Sequence, residues 1–468
     1  MIPESSTVLL LNPPGKKIYI RDYYCSKTTK SNYLFHPLDL LVLSGRLSGF
    51  FRVASEDAMV KRLSPDKALE KVALHTPAAV IAMTGAVSME EDLPFLEAVR
   101  TRTGVPLLVS GDLFMEEPGM WLERYPFLDG IILDFTNEDA LHFLRGEHRR
   151  IENMAYRDAG CVVVRDQPRV MNRQFELPVP RHDLFQHPGY RYSFSRKRRF
   201  ASVLTDYGCP FRCSFCIMST LGFKVRPVEN VMEELRFIRR MGIDEIFFID
   251  QTFGAVRQRT LKLCAAMREQ IPGAGWSCFS RVDVVDPPLL EEMRQAGCHT
   301  IILGVETANE DILRQYRKGY SRQQIRNAFS WCRRLGIRTV GTFILGLPEE
   351  TAETVEETLD FAKSLECDFA SFNLAVPRVG TELRKQVLEE GLLEEKTFSM
   401  DQTGRNIAMP TRRLSRDEMH RLRRRFILGF YLRPSYLCQR LWRLKSWYEL
   451  RAQVVEGWEM LRGVMWPG

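Results

Sequence analysis

Long apolar runs are missing from this sequence. No stretch of its 468 residues approaches the ~18 consecutive apolar residues that a membrane span needs. Met1–Gly15 has no basic segment, and its apolar run is only Val8–Leu11, so a secretory signal is not expected. Cysteine is sparse and odd in number, 11 scattered residues in a chain long enough to build its own core. That excludes a disulfide framework and points to a reducing, cytoplasmic compartment. Internal repeats and low-complexity tracts are also missing. A strong overall charge is lacking too, at +7, but the charge is uneven: Thr411–Gly468 holds 13 basic and 5 acidic residues, leaving the rest close to neutral. A chain-wide nucleic-acid coat is therefore excluded, and no nucleic-acid partner is expected. Four of the seven tryptophans, Trp442, Trp447, Trp458 and Trp466, share that basic tail.

What is present is strand–helix alternation. Val8–Asn12 reads as a strand closed by Pro13-Pro14-Gly15, which no helix tolerates. A helical pattern opens at Pro37 and runs to Leu47. Strands follow at Phe51–Ala54, Ala79–Thr84, Pro106–Ser110 and Gly130–Leu133, most with an amphipathic stretch behind. This pattern predicts a Rossmann-like, doubly wound α/β domain over residues 1–150. In such sheets ligands sit outside the carboxyl ends of the strands. Residues 151–195, irregular and rich in Arg, Pro and aromatics, read as a linker.

A second alternation occupies residues 196–395. Its strands are expected at Phe200–Thr205, Glu245–Asp250, Trp276–Ser280, Thr300–Val305, Arg338–Leu345 and Phe369–Leu374. Pro227 sits at a helix start, and Ser321-Arg322-Gln323-Gln324 forms a capping box. Six units suit an open, partial (β/α)6 TIM barrel. Residues 396–468 read as a basic helical segment. Ser415 caps one helix, Pro434 ends it, and Leu437, Leu441, Leu444 and Tyr448 stripe the next.

The densest chemistry follows the first barrel strand: Cys209-Pro-Phe-Arg-Cys213-Ser-Phe-Cys216. Three thiols within eight residues can gather on one metal centre, and thiolates select zinc or iron–sulfur clusters. A structural zinc site wants four ligands, and no His or fourth Cys lies within twenty residues; a distant ligand such as Cys298 stays open.

The C-x3-C-x2-C spacing, with Phe215 before the last Cys, resembles the signature of radical S-adenosylmethionine (SAM) enzymes. The resemblance implies a 4Fe-4S cluster on Cys209, Cys213 and Cys216, with SAM at its open iron. It also implies an external one-electron reductant of flavodoxin or ferredoxin type, and reductive cleavage of SAM to methionine and a 5′-deoxyadenosyl radical. Other segments match at the expected strand ends. Asp250 and Gln251 stand where the family contacts the SAM amino group, and Arg281 and Asp283 follow strand three. Gly304-Val305-Glu306-Thr307 resembles its ribose motif, and Ile344, in Gly341–Glu349, its adenine-packing strand. Pro377-Arg378-Val379-Gly380-Thr381 resembles a turn that usually has Pro-Gly. The likeness implies SAM contacts at Phe215, Asp250, Gln251, Arg281, Glu306, Thr307, Ile344 and Pro377.

A doubly wound domain ahead of such a barrel resembles the cobalamin-binding subclass of methyltransferases and oxidative cyclases. Asn12, Pro13, Ser110 and Gly111 lie where that subclass binds the cofactor. There are departures. None of the 8 histidines has an Asp two residues before it, so the motif supplying an axial His is absent. Ser110-Gly111-Asp112-Leu113 replaces Gly-Gly-Pro-His, and acidic Asp112 and Asp134 oppose a phosphate-bearing tail.

The expected function is cobalamin-dependent methylation of an unactivated carbon on a small-molecule, lipid or peptide substrate. Cobalamin-independent cyclisation, dehydrogenation or carbon–carbon coupling on a bulky or lipid-like substrate is the main alternative. A non-catalytic iron–sulfur protein is disfavoured by the nucleoside-pocket patterns, and tRNA methylthiolation by the lack of a second cysteine triplet. The tail reads first as helices closing the open barrel, with Arg421, Arg423, Arg424 and Arg425 solvated. Peripheral membrane contact is the second reading, and RNA the third.

Overall fold

The computed structural model describes residues 1–31, 33–167, 170–394, 397, 401–403, 409–443 and 447–465. It divides into two compact units. The first takes in residues 1–29, 34–170 and 175–191; the second takes in residues 30–33, 171–174 and 192–468.

The first unit is built on a seven-stranded sheet. In spatial order its strands are Arg52–Asp57, Thr7–Asn12, Ala79–Met83, Leu107–Ser110, Gly130–Ile132, Asn153–Asp158 and Cys161–Asp166. The first five are parallel. Val8–Leu11 and Ala79–Met83 are sealed from solvent, as strands covered by helices on both faces must be. The order reverses between Thr7–Asn12 and Ala79–Met83, which puts the ligand-binding crevice of this topology beside Asn12 and Thr84.

The expected linker over residues 151–195 is structured instead. Asn153–Asp158 and Cys161–Asp166 form an antiparallel hairpin that extends the first sheet, turning through Ala159 and Gly160, both at positive φ. That is the backbone of a two-residue hairpin turn. The hairpin is hidden in the sequence because its outer strand is a largely exposed sheet edge without hydrophobic alternation.

The second unit holds a six-stranded, wholly parallel sheet in chain order: Ala201–Val203, Glu245–Phe248, Gly275–Arg281, Cys298–Glu306, Arg338–Leu345 and Phe369–Leu374. The first and last strands are its two edges, so the barrel is open, as expected. Along Phe369–Leu374, half-exposed residues alternate with buried ones, which separates a lumen face (Ser371, Asn373) from a helix face (Phe372, Leu374). The core lies on the helix face and includes Ile246, Phe248, Trp276, Leu303, Phe343 and Phe372.

The tail covers the last strand. Helix Arg416–Tyr431, started by the Ser415–Glu418 capping box, sets Phe426 and Phe430 against Phe372 at ring distances of 5.2 and 5.9 Å. Tyr436 donates to the Asp368 carbonyl, and Arg440 pairs with the Asp368 carboxylate at 3.2 Å. Pro434 opens the next helix, Pro434–Arg443, and Trp447–Met465 follows. Of the expected stripe, Leu437 is 48% exposed. Leu444, Trp466 and the side chains of Leu441 and Tyr448 lie outside the described residues. Among the described residues no helix is long and apolar enough to cross a membrane.

Candidate active site

The cysteine loop leaves the first barrel strand through a tight turn. Asp206–Gly208 pairs antiparallel with Phe223–Val225, and Gly208 adopts φ +82°. A Cβ there would lie 2.0 Å from the Gly222 carbonyl oxygen, so only glycine lets the two backbones approach. Asp250 holds this entry from behind. Its Oδ1 accepts from the backbone N–H groups of Thr205 (2.6 Å) and Asp206 (3.0 Å), and its Oδ2 from the Thr205 hydroxyl (2.6 Å). Fully buried, with both oxygens accepting hydrogen bonds from this entry, Asp250 clamps the loop. Arg259 completes the clamp by donating to the carbonyls of Thr205 and Arg226.

None of the three thiols is in a disulfide, and burial first and then the charge of Cys213 raise the pKa values of Cys209 and Cys216. Burial pushes Cys216 up to about 12. Among the described residues no group of three His, Cys, Asp or Glu is gathered as for a single metal ion. A cubane asks for something else, one thiolate at each of three separate irons. Cys298 is not a fourth ligand. It begins the fourth strand, at the barrel end opposite the loop, and its charge bears on buried Cys264, Cys278 and Cys332.

Two cations flank the loop. Arg281, at the end of strand three, donates from Nη1 to Cys213 Sγ at 3.4 Å. Its fork is held bidentately by Asp283 at 3.0 and 2.9 Å, and its guanidinium lies 3.8 Å from the Phe211 ring centroid. Lys318 forms a buried ion pair with Glu306 at 2.8 Å and stands 5.5 Å over the Phe215 ring. Burial lowers the Lys318 pKa, but the charges of Glu306, Tyr320 and Cys213 outweigh it, leaving the ammonium well above its ordinary value. Glu306 sits at φ +67° beside a register shift in strand four, which turns its carboxylate toward Lys318.

Phe215 and Ile344 pack on one apolar cluster with Tyr316, Leu347 and Leu383. The turn after strand five is fixed by Glu350, whose Oε2 accepts from the backbone N–H groups of Gly346 (2.5 Å) and Leu347 (3.2 Å). Burial raises Glu350 to about 8. Gln251 is half-buried at the end of strand two, and Pro377 is buried with its carbonyl accepting from Arg384. Thr307 is wholly buried, its hydroxyl shared with Thr358 and the Asn309 N–H, so it braces the strand end. Neither Lys318 nor Glu350 belongs to a spacing pattern, so the sequence alone does not mark them.

The family profile described as the radical SAM superfamily matches residues 203–362. An uncharacterized methyltransferase of Pyrococcus horikoshii, PH0819, is 31% identical over 331 residues, covering 68% of this chain and 71% of the relative. The chain belongs to the radical SAM superfamily. It is accordingly an enzyme. This radical SAM enzyme is also 26% identical over 360 residues to the anaerobic magnesium-protoporphyrin IX monomethyl ester cyclase of Rubrivivax gelatinosus, covering 73% of this chain and 64% of the cyclase. Among solved structures, the cobalamin-dependent SAM radical enzyme OxsB, with aqua-cobalamin and SAM bound, matches with a TM-score of 0.72 at 16% identity. That match covers 98% of this chain and 72% of OxsB, and is a likeness of fold.

In the first unit the strand ends do bring Asn12, Pro13, Ser110 and Gly111 to one edge, but the chain itself engages them. Arg21, its side chain sealed from solvent, donates to Asn12 Oδ1 and to the carbonyls of Pro13 and Pro14, and pairs with Asp92. Ser110 donates to Asp39 at 2.5 Å. Asp112 accepts from the N–H and hydroxyl of Ser26 and the N–H of Ala86. Burial drives Asp39 up to about 7 and Asp22 well above the ordinary range, and one oxygen of each lacks a hydrogen-bond partner. Burial that disfavours the charged form of both carboxyls suits the neutral amide fringe of a corrin.

Proposed function

We propose that this enzyme cleaves SAM reductively at a 4Fe-4S cluster held by Cys209, Cys213 and Cys216, and uses the resulting radical in cobalamin-dependent methylation of an unactivated carbon. The observation that carries the reading is the three-thiol loop at the carboxyl end of an open parallel sheet, with Arg281 on Cys213 and the Lys318–Glu306 pair beside it. The cluster that Cys209, Cys213 and Cys216 would hold would supply the one-electron reduction of the SAM sulfonium, its electron coming from an external flavodoxin- or ferredoxin-type donor. Arg281 and Lys318 offset the negative charge that three thiolates bring into a buried site. Gln251 and Glu306 supply polar groups for the amino acid and ribose parts of SAM, while Phe215 and Ile344 give the adenine an apolar wall. Glu350 keeps that wall in register. When bound, cobalamin would carry the methyl group to the substrate, the methyl being drawn from a second SAM. Asn12, Pro13, Ser110 and Gly111 form the edge that would meet it, with Asp22 and Asp39 as acceptors for its amides. The substrate is proposed as a small molecule, lipid or peptide.

A second reading is favoured by the crevice itself. Ser26 and Arg21 occupy the strand ends, Ser110 is engaged by Asp39, and the Asp112 side chain already accepts from Ser26 and Ala86. Without cobalamin the same radical would serve cyclisation, dehydrogenation or carbon–carbon coupling. Anaerobic purification with cobalamin supplied decides between them. A stoichiometric corrinoid spectrum supports methylation; cluster-dependent SAM cleavage without corrinoid supports the second reading.

A further inference from the structure

The helix Trp447–Met465 has two faces of different character. On one, Glu449 is 7% exposed and pairs with Arg338 at 3.2 Å, Gln453 accepts from Arg440 at 3.3 Å, and Met460 packs against the barrel core. At 100° per residue these three positions fall within one narrow arc. The opposite arc carries Trp447, Val454 and Trp458, which are 84%, 62% and 61% exposed. Exposed Arg451 and Arg462 flank that row, and between Trp447 and Arg462 no carboxylate falls on it. Trp442, at 90% exposure, and Leu437 add to the apolar surface from the preceding helix.

The inner face already packs the helix on the barrel, so the outer face is unaccounted for by folding. A soluble surface gains nothing from two tryptophans and a valine held in line on a helix. We propose that this face docks on an anionic phospholipid bilayer, the helix lying in the interface with Trp447, Val454 and Trp458 inserted and Arg451 and Arg462 at the headgroups. Three observations select that occupant. Tryptophan belongs at the headgroup level, where its ring is apolar and its N–H is wet. The outer arc carries exposed Arg451 and Arg462 and no carboxylate, Glu449, Glu456 and Glu459 lying on other sides of the helix, which attracts anionic lipid and repels a second copy of the same face. No described helix can cross a membrane, so contact is made in the plane.

The test is co-sedimentation of the full-length protein with vesicles of phosphatidylcholine alone or with added phosphatidylglycerol, together with tryptophan emission. Binding to the anionic vesicles only, with a blue-shifted emission, is expected. The Trp447→Ala/Trp458→Ala variant should lose about tenfold or more in partitioning, and Arg451→Glu/Arg462→Glu should lose the preference for anionic lipid. Both should keep the wild-type melting temperature and wild-type SAM cleavage. No partitioning by the wild-type protein, or equal partitioning by the tryptophan variant, overturns the proposal. So does a wild-type dimer in sedimentation velocity that this variant abolishes, since a second copy would then cover the face.

Discussion

Arg281 donates from Nη1 to the sulfur of Cys213 at 3.4 Å, while its other nitrogens are locked by Asp283 and the Lys318 carbonyl. The pairing joins the end of strand three to the cysteine loop after strand one, 68 residues apart. It places a fixed positive charge where a cluster would gain an electron.

That relationship sets the first expectation. Arg281→Met removes the charge and the sulfur hydrogen bond but keeps much of the packing on Phe211. A cation near a cluster favours its reduced, more negative state. The reduction potential of the reconstituted variant should therefore fall by tens of millivolts on Coulombic grounds, read by redox titration. SAM cleavage should slow in parallel.

The Lys318–Glu306 pair, with side chains 7% and 10% exposed, gives the second. Breaking a buried pair leaves an uncompensated charge and costs roughly 3–5 kcal/mol. Lys318→Met should lower the urea midpoint accordingly. Lys318→Met/Glu306→Gln should recover much of that stability while SAM affinity stays reduced.

Glu350 sets the pH dependence. Its carboxyl ionises near 4.5 when unexceptional and at about 8 in the folded chain, because burial opposes the charge. Between those values the native state binds more protons than the unfolded one, so stability falls as pH rises through that window. In Glu350→Gln this contribution is gone. The variant's melting temperature, relative to wild type, should climb steadily from pH 5 to pH 8.5.

Arg21 is the fourth. Its buried guanidinium ties the carbonyls of Pro13 and Pro14 to Asp92 in the first unit. Arg21→Met should destabilise that unit by roughly 3–5 kcal/mol, since Asp92 would keep a buried, unpaired charge. Limited proteolysis should then cut within residues 1–191 first.

Much of this architecture is legible in the chain. Arg338–Leu345 and Phe369–Leu374 are strands end to end, because apolar runs bounded by turn residues leave little freedom. The capping boxes at Ser321 and Ser415 form as their spacing implies. The cysteine loop is equally plain, since its spacing is local. What is hidden is long-range. Lys318 lies 102 positions beyond Cys216 and reaches the site only because its loop folds back over Phe215. Asp250 sits at the expected strand end, yet its rotamer turns both oxygens to Thr205 and Asp206, which no pattern in sequence could announce. The Asn153–Asp166 hairpin escapes for a different reason, its outer strand being an exposed edge.

The central claim is that Cys209, Cys213 and Cys216 together hold the cluster that cleaves SAM. Anaerobically reconstituted wild-type protein and its Cys213→Ala variant, each given dithionite and SAM, test it most directly through released 5′-deoxyadenosine. Release is expected from the wild type and none above background from the variant. Full release from Cys213→Ala would contradict it.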